Sequence, residues 1–191
     1  MNTTQHEDRI RTLIERNIKF VRYPLLLLLS PILFPYILVN IFAYLYRGAV
    51  YVPTKHKTVE KIVELAQVKP DMKAADLGSG DGRIVIALAK AGAEAHGHEI
   101  NPLLVWLSKR NIRKAGLTGK AFIHHNSYWR EDLSAFDIVV VYALPRVVKK
   151  LESKLNAELK PDAKVISNIY PFPSWSPAKE EGNILLYEQR G

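Results

Sequence analysis

The chain has 191 residues, 27 Lys and Arg against 19 Asp and Glu, a formal net charge of +8, and no cysteine. That length carries one domain with a full core plus an appendage, not two catalytic domains. The missing cysteine excludes disulfides, zinc-thiolate sites and a thiol nucleophile, and the positive charge suits an anionic surface, membrane or nucleic acid, without choosing between them.

Residues 1–22 carry Ile10, Leu13, Ile14 and Ile18 at helical spacing among Arg9, Arg11, Arg16, Lys19 and Arg22. This predicts an amphipathic helix suited to lying on headgroups. Residues 23–46 are 24 consecutive positions without a charged side chain. As a helix they would cover ~36 Å against ~30 Å of hydrocarbon, so the run predicts a membrane segment. Tyr23, Tyr36, Tyr44 and Tyr46 supply the amphipathic rings that membrane interfaces favour. The run is too long for the apolar part of a signal peptide, and bulky Tyr and Arg follow it. Basic residues flank both ends, so charge does not set the topology. Pro31 and Pro35 each remove a helix hydrogen bond, which leaves a simple span and a kinked, re-entrant segment both open.

From residue 47 to 191 the pattern becomes alternating helices and strands. Helices are predicted over Lys57–Ala66, Gly82–Ala91, Pro102–Ala115 and Arg146–Leu159. Strands are predicted over Lys73–Leu77, Ala95–Glu99, Lys120–His124, Asp137–Tyr142, Ala163–Ile169 and Ile184–Glu188. The fourth of these is an unbroken apolar run, as a strand buried on both faces should be. Alternation of this kind predicts an α/β fold with a doubly wound, mostly parallel sheet. Six strands are legible.

The strongest local signal is Asp76-Leu77-Gly78-Ser79-Gly80-Asp81-Gly82, between the first strand and a helix. Three alternate glycines let the backbone turn tightly and approach a ligand. A dinucleotide fingerprint would place its last glycine where Arg83 stands. Asp76 offers a negative group to a cationic ligand, which suits the ammonium and sulfonium of S-adenosylmethionine. Glu99 ends the second strand 19 residues after Gly80, where an acid accepts from ribose hydroxyls. That contact serves a nicotinamide cofactor equally well. Asn101 then caps the next helix or adds a second cofactor contact. Asn126 and Ser127, after the third strand, lie where the adenine belongs, and both are also ordinary turn residues. Tyr142, after the fourth strand, and Tyr170, after the fifth, border the reacting methyl in such sheets. Prolines and aromatics over 170–175 predict a stiff apolar wall beside the same pocket. His96, His98 and His124 share a sheet region, but paired strand histidines are more often structural, and no metal is expected.

Val52-Pro53-Thr54, the DLGSGDGRIVIALA run, the Glu99-x-Asn101-Pro102 corner, Trp129 and the PFPSW segment together resemble a family of membrane-attached lysine methyltransferases. Its mitochondrial members modify the ATP synthase c subunit and the adenine nucleotide translocase, and it has prokaryotic relatives. The resemblance implies a class I, Rossmann-like methyltransferase fold with an N-terminal membrane helix. It implies S-adenosyl-L-methionine bound by Asp76, Gly78, Gly80 and Glu99, with Thr54 closing over it from the N-terminal side. It also implies a lysine in a membrane protein as substrate, and a catalytic domain held at a membrane on its cytoplasmic side, or at the mitochondrial inner membrane in a eukaryote. Two departures stand out. Mitochondrial relatives carry an acid after the third strand where this chain has Asn126-Ser127, and the class has seven strands. A lipid, quinone or other small-molecule methyltransferase, or a nucleotide-binding oxidoreductase, remains the alternative. The basic helix containing Lys109, Arg110, Arg113 and Lys114 suits nucleic acid. However, the loop after the fourth strand lacks the acid/Asn-Pro-Pro-aromatic sequence of amino-methylating nucleic-acid enzymes, and no nucleic acid is expected as partner.

Overall fold

Short apolar strands with no polar alternation have two faces to hide, and helices on both sides of one sheet hide them. The computed structural model describes residues 51–189 and, before them, only Pro35. The segments expected over 1–22 and 23–46 otherwise lie outside the described residues. Among the described residues no helix is long and apolar enough to cross a membrane.

In chain order the elements are α1 (His56–Ala66), β1 (Lys73–Leu77), α2 (Arg83–Lys90), β2 (Glu94–Glu99), α3 (Pro102–Lys114), β3 (Ala121–His125), a single 3-10 turn (Tyr128–Arg130), β4 (Ile138–Val141), α4 (Pro145–Glu158), β5 (Lys164–Asn168), β6 (Lys179–Glu181) and β7 (Ile184–Glu188). They build one sheet in the order β3-β2-β1-β4-β5-β7-β6. β3, β2, β1, β4 and β5 run parallel, and β7 is antiparallel to both its neighbours. The chain runs outward from β1 to β3, then returns to β4 on the other side of β1. The reversal between β1 and β4 is the switch point, outside whose carboxyl ends ligands bind in such sheets.

The expected α/β architecture is present, with element ends shifted by a residue or so. The strand count needs correction: there are seven, not six. β6 is three residues, Lys-Glu-Glu, turned onto β7 at Gly182 (φ +63). A strand this short, with no apolar residue, leaves no periodic signal. It is legible only through its pairing.

Successive residues of each strand face opposite layers. Ile138 and Val140 join Ala74, Ala95 and Ile166 beneath α1, α2 and α3, whose Ile62, Leu88 and Val105 meet them. Val139 and Val141 join Leu77 and Val165 on the other face, under Leu151 and Leu155 of α4. The segment predicted as a pocket wall belongs to this second layer. Phe172 is buried against Trp175 and Tyr187, and Trp175 Nε1 donates to Asn156 Oδ1 of α4 at 3.1 Å. Its aromatics pack against the core layer over α4, with Phe172 buried and Tyr170 and Trp175 partly buried.

β1 and β2 approach under the glycine turn through Gly97. A Cβ at Gly97 would lie 2.6 Å from Ser79 Cβ and Oγ and 2.7 Å from Ile123 Cδ1. Overpacking of this kind costs typically ~1–3 kcal/mol. Gly97→Ala is therefore expected to lower unfolding free energy by about that amount in urea titration, with an unchanged m-value.

Candidate cofactor site at the carboxyl edge of the sheet

The site begins where β1 stops. Gly78, Gly80 and Gly82 all have left-handed φ (+101, +54 and +81), so the turn accepts no side chain at these positions without strain. Gly80 is doubly constrained, because the Tyr51 ring packs on it and a Cβ there would come within 2.7 Å of Tyr51 Cε2.

Four of the turn's backbone donors are already occupied. Gly78 and Ser79 N–H donate to His98 O (3.0 and 3.1 Å), Gly80 N–H to Glu99 Oε2 (2.9 Å) and Gly82 N–H to Ser79 O (2.9 Å). A phosphate-binding turn aims such donors at an anion. Here they point into the protein and the surrounding side chains are acids. The geometry opposes a pyrophosphate and favours a cation.

Asp76 defines that preference. It is buried at the end of β1, with Glu99 and Asp81 as its charged neighbours. Burial first, then repulsion from Glu99 and Asp81, pushes its carboxyl up to about 8. Among the described residues no cation answers it. A ligand bearing an ammonium or sulfonium would supply the missing positive charge.

Glu99 has a different task. Oε1 accepts from the N–H groups of Ile100 and Asn101 at 2.8 Å, and Oε2 from Gly80. Burial raises its pKa, and these three donors work against that rise. A carboxylate offers about four acceptor positions, so one on Oε2 remains for a ligand hydroxyl. Ser79 Oγ is buried without a partner in the same turn. An unanswered acid and a spare carboxylate lone pair fit the polar groups of S-adenosylmethionine, while the Ser79 hydroxyl faces down onto Gly97.

Thr54, Asp81 and Arg83 form a strap. Arg83 grips Asp81 with Nε to Oδ1 (2.9 Å) and one terminal nitrogen to Oδ2 (2.6 Å), while the other terminal nitrogen donates to Thr54 O at 2.6 Å. Burial alone would push the Asp81 carboxyl up. The bonds and charge of Arg83 outweigh it and hold the acid below its usual range. Buried Thr54 is thereby fixed to the start of α2. Asn101 is the cap of α3, its Oδ1 accepting from Leu103 and Leu104 N–H at 3.0 and 3.4 Å. The Asn126 amide is engaged on both sides, with Oδ1 3.0 Å from His98 Nδ1 and Nδ2 donating to Glu131 at 2.8 Å. Ser127 follows it at the entry to the 3-10 turn. Tyr142 lies half-buried just past β4, and Tyr170 half-buried against the core layer of α4.

Several supports carried no motif. Ser108 Oγ lies 2.6 Å from Gly80 O and 2.7 Å from Leu104 O, and Asn111 Nδ2 donates to Asp81 O at 3.0 Å, so α3 braces the turn from its buried side. Their signal was two polar residues beside Val105 and Ile112 on a face that should be apolar. His98 is buried and kept neutral by desolvation. With its Nδ1 proton given to Asn126, Nε2 has no partner. His96 and His124 stack with it into a ladder, His96 Nδ1 being 2.9 Å from His124 Nε2. Among the described residues no group of His, Asp and Glu is arranged to hold a metal.

The comparisons with known proteins agree with this geometry. The sequence model of the family described as "ANTKMT methyltransferase domain" matches residues 76–179. The chain is 40% identical over 127 residues to the ATP synthase c-subunit lysine N-methyltransferase of Homo sapiens, covering 66% of this chain and 54% of that protein. It is 38% identical over 140 residues to the protein-lysine N-methyltransferase of Saccharolobus islandicus (strain REY15A), covering 70% of this chain and 87% of that one. Among solved structures, an RNA methyltransferase from Salinibacter ruber in complex with S-adenosyl-L-homocysteine superposes with a TM-score of 0.68 at 33% identity, over 72% of this chain and 92% of that chain. This chain thus spans little more than half the length of the human relative. A family match that starts at Asp76 and reaches β6, joined to near-complete coverage of the Saccharolobus islandicus relative, establishes that this chain belongs to the ANTKMT methyltransferase domain family.

Proposed function

We propose that this chain is a protein-lysine N-methyltransferase that uses S-adenosyl-L-methionine and acts on a lysine of a membrane protein. The observation that carries the reading is Asp76, a buried acid beside two other acids with no cation in reach. The names of the Homo sapiens and Saccharolobus islandicus relatives support lysine as the acceptor. The ATP synthase component in the human protein's name supports a membrane-embedded substrate. The uncharged run 23–46 supports attachment of this chain to a membrane.

In this reading Asp76 holds the cationic end of the cofactor and Glu99 takes a ribose hydroxyl on its free acceptor position. Gly78, Ser79, Gly80 and Gly82 form the turn over which the cofactor lies. Asp81 holds Arg83, Arg83 holds Thr54, and Thr54 closes the near side. Asn101 keeps the start of α3 in place beside Glu99. Asn126 keeps His98 and Glu131 together, leaving the Ser127 hydroxyl to meet the adenine. The cofactor supplies a methyl group already activated on a sulfonium. The protein's work is therefore to position and desolvate. A lysine near pKa ~10.4 must arrive neutral, and a low-dielectric pocket beside a positive charge pushes that value down. Tyr142 and Tyr170 orient the incoming amine, and water takes its proton.

A second reading has its own observation, since the Salinibacter ruber protein is named as an RNA methyltransferase. One experiment separates the two. Full-length protein is incubated with radiolabelled S-adenosyl-L-methionine, membranes and total RNA from its own source, and protein, lipid and RNA are then resolved. Label on lysine of a membrane protein, lost in Asp76→Ala and Glu99→Ala, is the expected result. Label in RNA establishes the second reading, and label in lipid overturns the lysine acceptor while keeping the cofactor.

Two further outcomes follow from the site. Below about pH 8 the Asp76 carboxyl is protonated in the free protein, and a bound cation favours its ionised form. Cofactor binding at pH 6.5 is therefore expected to release about one proton, vanishing above pH 8 and in Asp76→Asn. Calorimetry in buffers of different ionisation enthalpy measures it. Arg83→Met removes charge-assisted bonds of ~1.5–3 kcal/mol each and frees Thr54. Cofactor affinity by titration is expected to fall at least tenfold.

A further inference from the structure

Among the described residues six large hydrophobic side chains are exposed, each between 39% and 61%: Val52, Leu103, Trp106, Trp129, Leu144 and Ile169. Their positions are not scattered. Val52 sits in the strap over the glycine turn. Leu103 and Trp106 lie in the first turns of α3, immediately after β2. Trp129 is in the 3-10 turn after β3, Leu144 directly precedes α4 after β4, and Ile169 follows β5. All six ring the carboxyl edge of the sheet, where the cofactor site opens. The opposite edge, at residues 67–72, 91–93, 115–120, 134–137 and 159–163, exposes none, and mixes Lys69, Lys120 and Lys160 with Asp71, Asp137 and Asp162.

Charge follows the same division. The rim segments 51–57, 102–110, 128–130, 144–146 and 169–173 contain no acid, and of the acids next to them Asp81 is paired with Arg83, Glu131 is held by Asn126, and Asp132 is exposed. The rim's exposed charges are Lys55, Lys57, Lys109, Arg110, Arg130 and Arg146, and none forms an ion pair among the described residues. Arg110 lies over the Trp106 ring, 6.0 Å from its centre. Exposed aromatics and aliphatics interleaved with unpaired cations are what an anionic lipid surface selects. The rings enter the headgroup region, and Lys and Arg extend to the phosphates.

We infer that the carboxyl edge of the domain is itself a membrane-docking face, which seats the mouth of the cofactor site against an anionic bilayer. This rests on the membrane-substrate reading above and adds to it. The run 23–46 tethers, whereas the rim orients. A lysine at the lipid–water boundary then enters the site without crossing bulk water, and a soluble lysine meets a face covered by lipid.

The chain's three tryptophans, Trp106, Trp129 and Trp175, all lie in the methyltransferase domain, and none lies in residues 1–50. Tryptophan fluorescence therefore reports on the domain and not on the tether. The full chain is reconstituted into phosphatidylcholine vesicles with brominated acyl chains, with and without about 30% phosphatidylglycerol, an anionic fraction that draws basic segments to the surface. Vesicle association is scored by flotation. The expected result is quenching in the anionic vesicles, at least twofold greater than in neutral ones, and lost in Trp106→Phe/Trp129→Phe, which keeps only the core-packed Trp175. Arg110→Gln/Arg130→Gln/Arg146→Gln is expected to reduce quenching to the neutral-vesicle level while leaving flotation unchanged. Flotation without quenching overturns the docking face and leaves the membrane-substrate reading intact. Equal quenching in both vesicles overturns the role of the basic residues. A chain that does not float overturns membrane attachment and the inference with it.

Discussion

A carboxyl group buried beside other carboxyls is a standing electrostatic deficit, and the geometry of this domain is organised around one. Asp76 ends β1 at the switch point of the sheet, where β2 and β4 flank it on either side. The left-handed glycine turn carries the chain away from it without placing a side chain in the way. His98 O, Glu99 and Ser79 O take the N–H groups of Gly78, Ser79, Gly80 and Gly82. Near neutral pH the buried carboxyl is protonated in the free protein, and a cation bound beside it would favour its ionised form. Sites of this kind trade folding stability for binding, since the same carboxyl that weakens the free protein strengthens the complex.

Around that centre the supports are layered. Arg83 reads as a failed glycine when the turn is compared with a dinucleotide fingerprint. In the structure it is the residue that ties the strap to the turn, through both Asp81 oxygens and Thr54 O. The departure from one motif is thus a component of another. α3 contributes from behind, with Ser108 and Asn111 holding the backbone carbonyls of Gly80 and Asp81. The cofactor turn is held by β2, α2 and α3 together.

The fold was legible because its signals are strong and local. The short β-branched run Ile138–Val141 reads as a buried strand, and Gly78 to Gly82 as the turn that follows one. What was not legible has physical reasons. β6 has no apolar residue, so nothing but its partner defines it. The aromatic segment after β5 reads equally as pocket wall or core, and the packing of Phe172, Trp175 and Tyr187 that ties it to the core comes from separate elements. Asn101 carried two meanings, cap or ligand, and its bonds to Leu103 and Leu104 N–H supply the first. Asn126 reads as a ligand contact from its place after β3, yet its amide bridges His98 and Glu131, a pairing across 28 residues to β2 that no linear pattern announces. The requirement for glycine at position 97 is equally invisible in one dimension, because it arises from Ser79 and Ile123 on separate elements.

The sheet's last strand has a consequence of its own. A free strand edge exposes unpaired donors and acceptors to any neighbouring copy, and long apolar edges grow into aggregates. β6 closes this sheet with Lys179, Glu180 and Glu181, three charged residues, and Lys179 pairs with Glu181 at 2.7 Å. A strand of three charged residues offers a neighbouring copy few ladder positions and no apolar surface, so this edge of the sheet is blunted against further strand pairing.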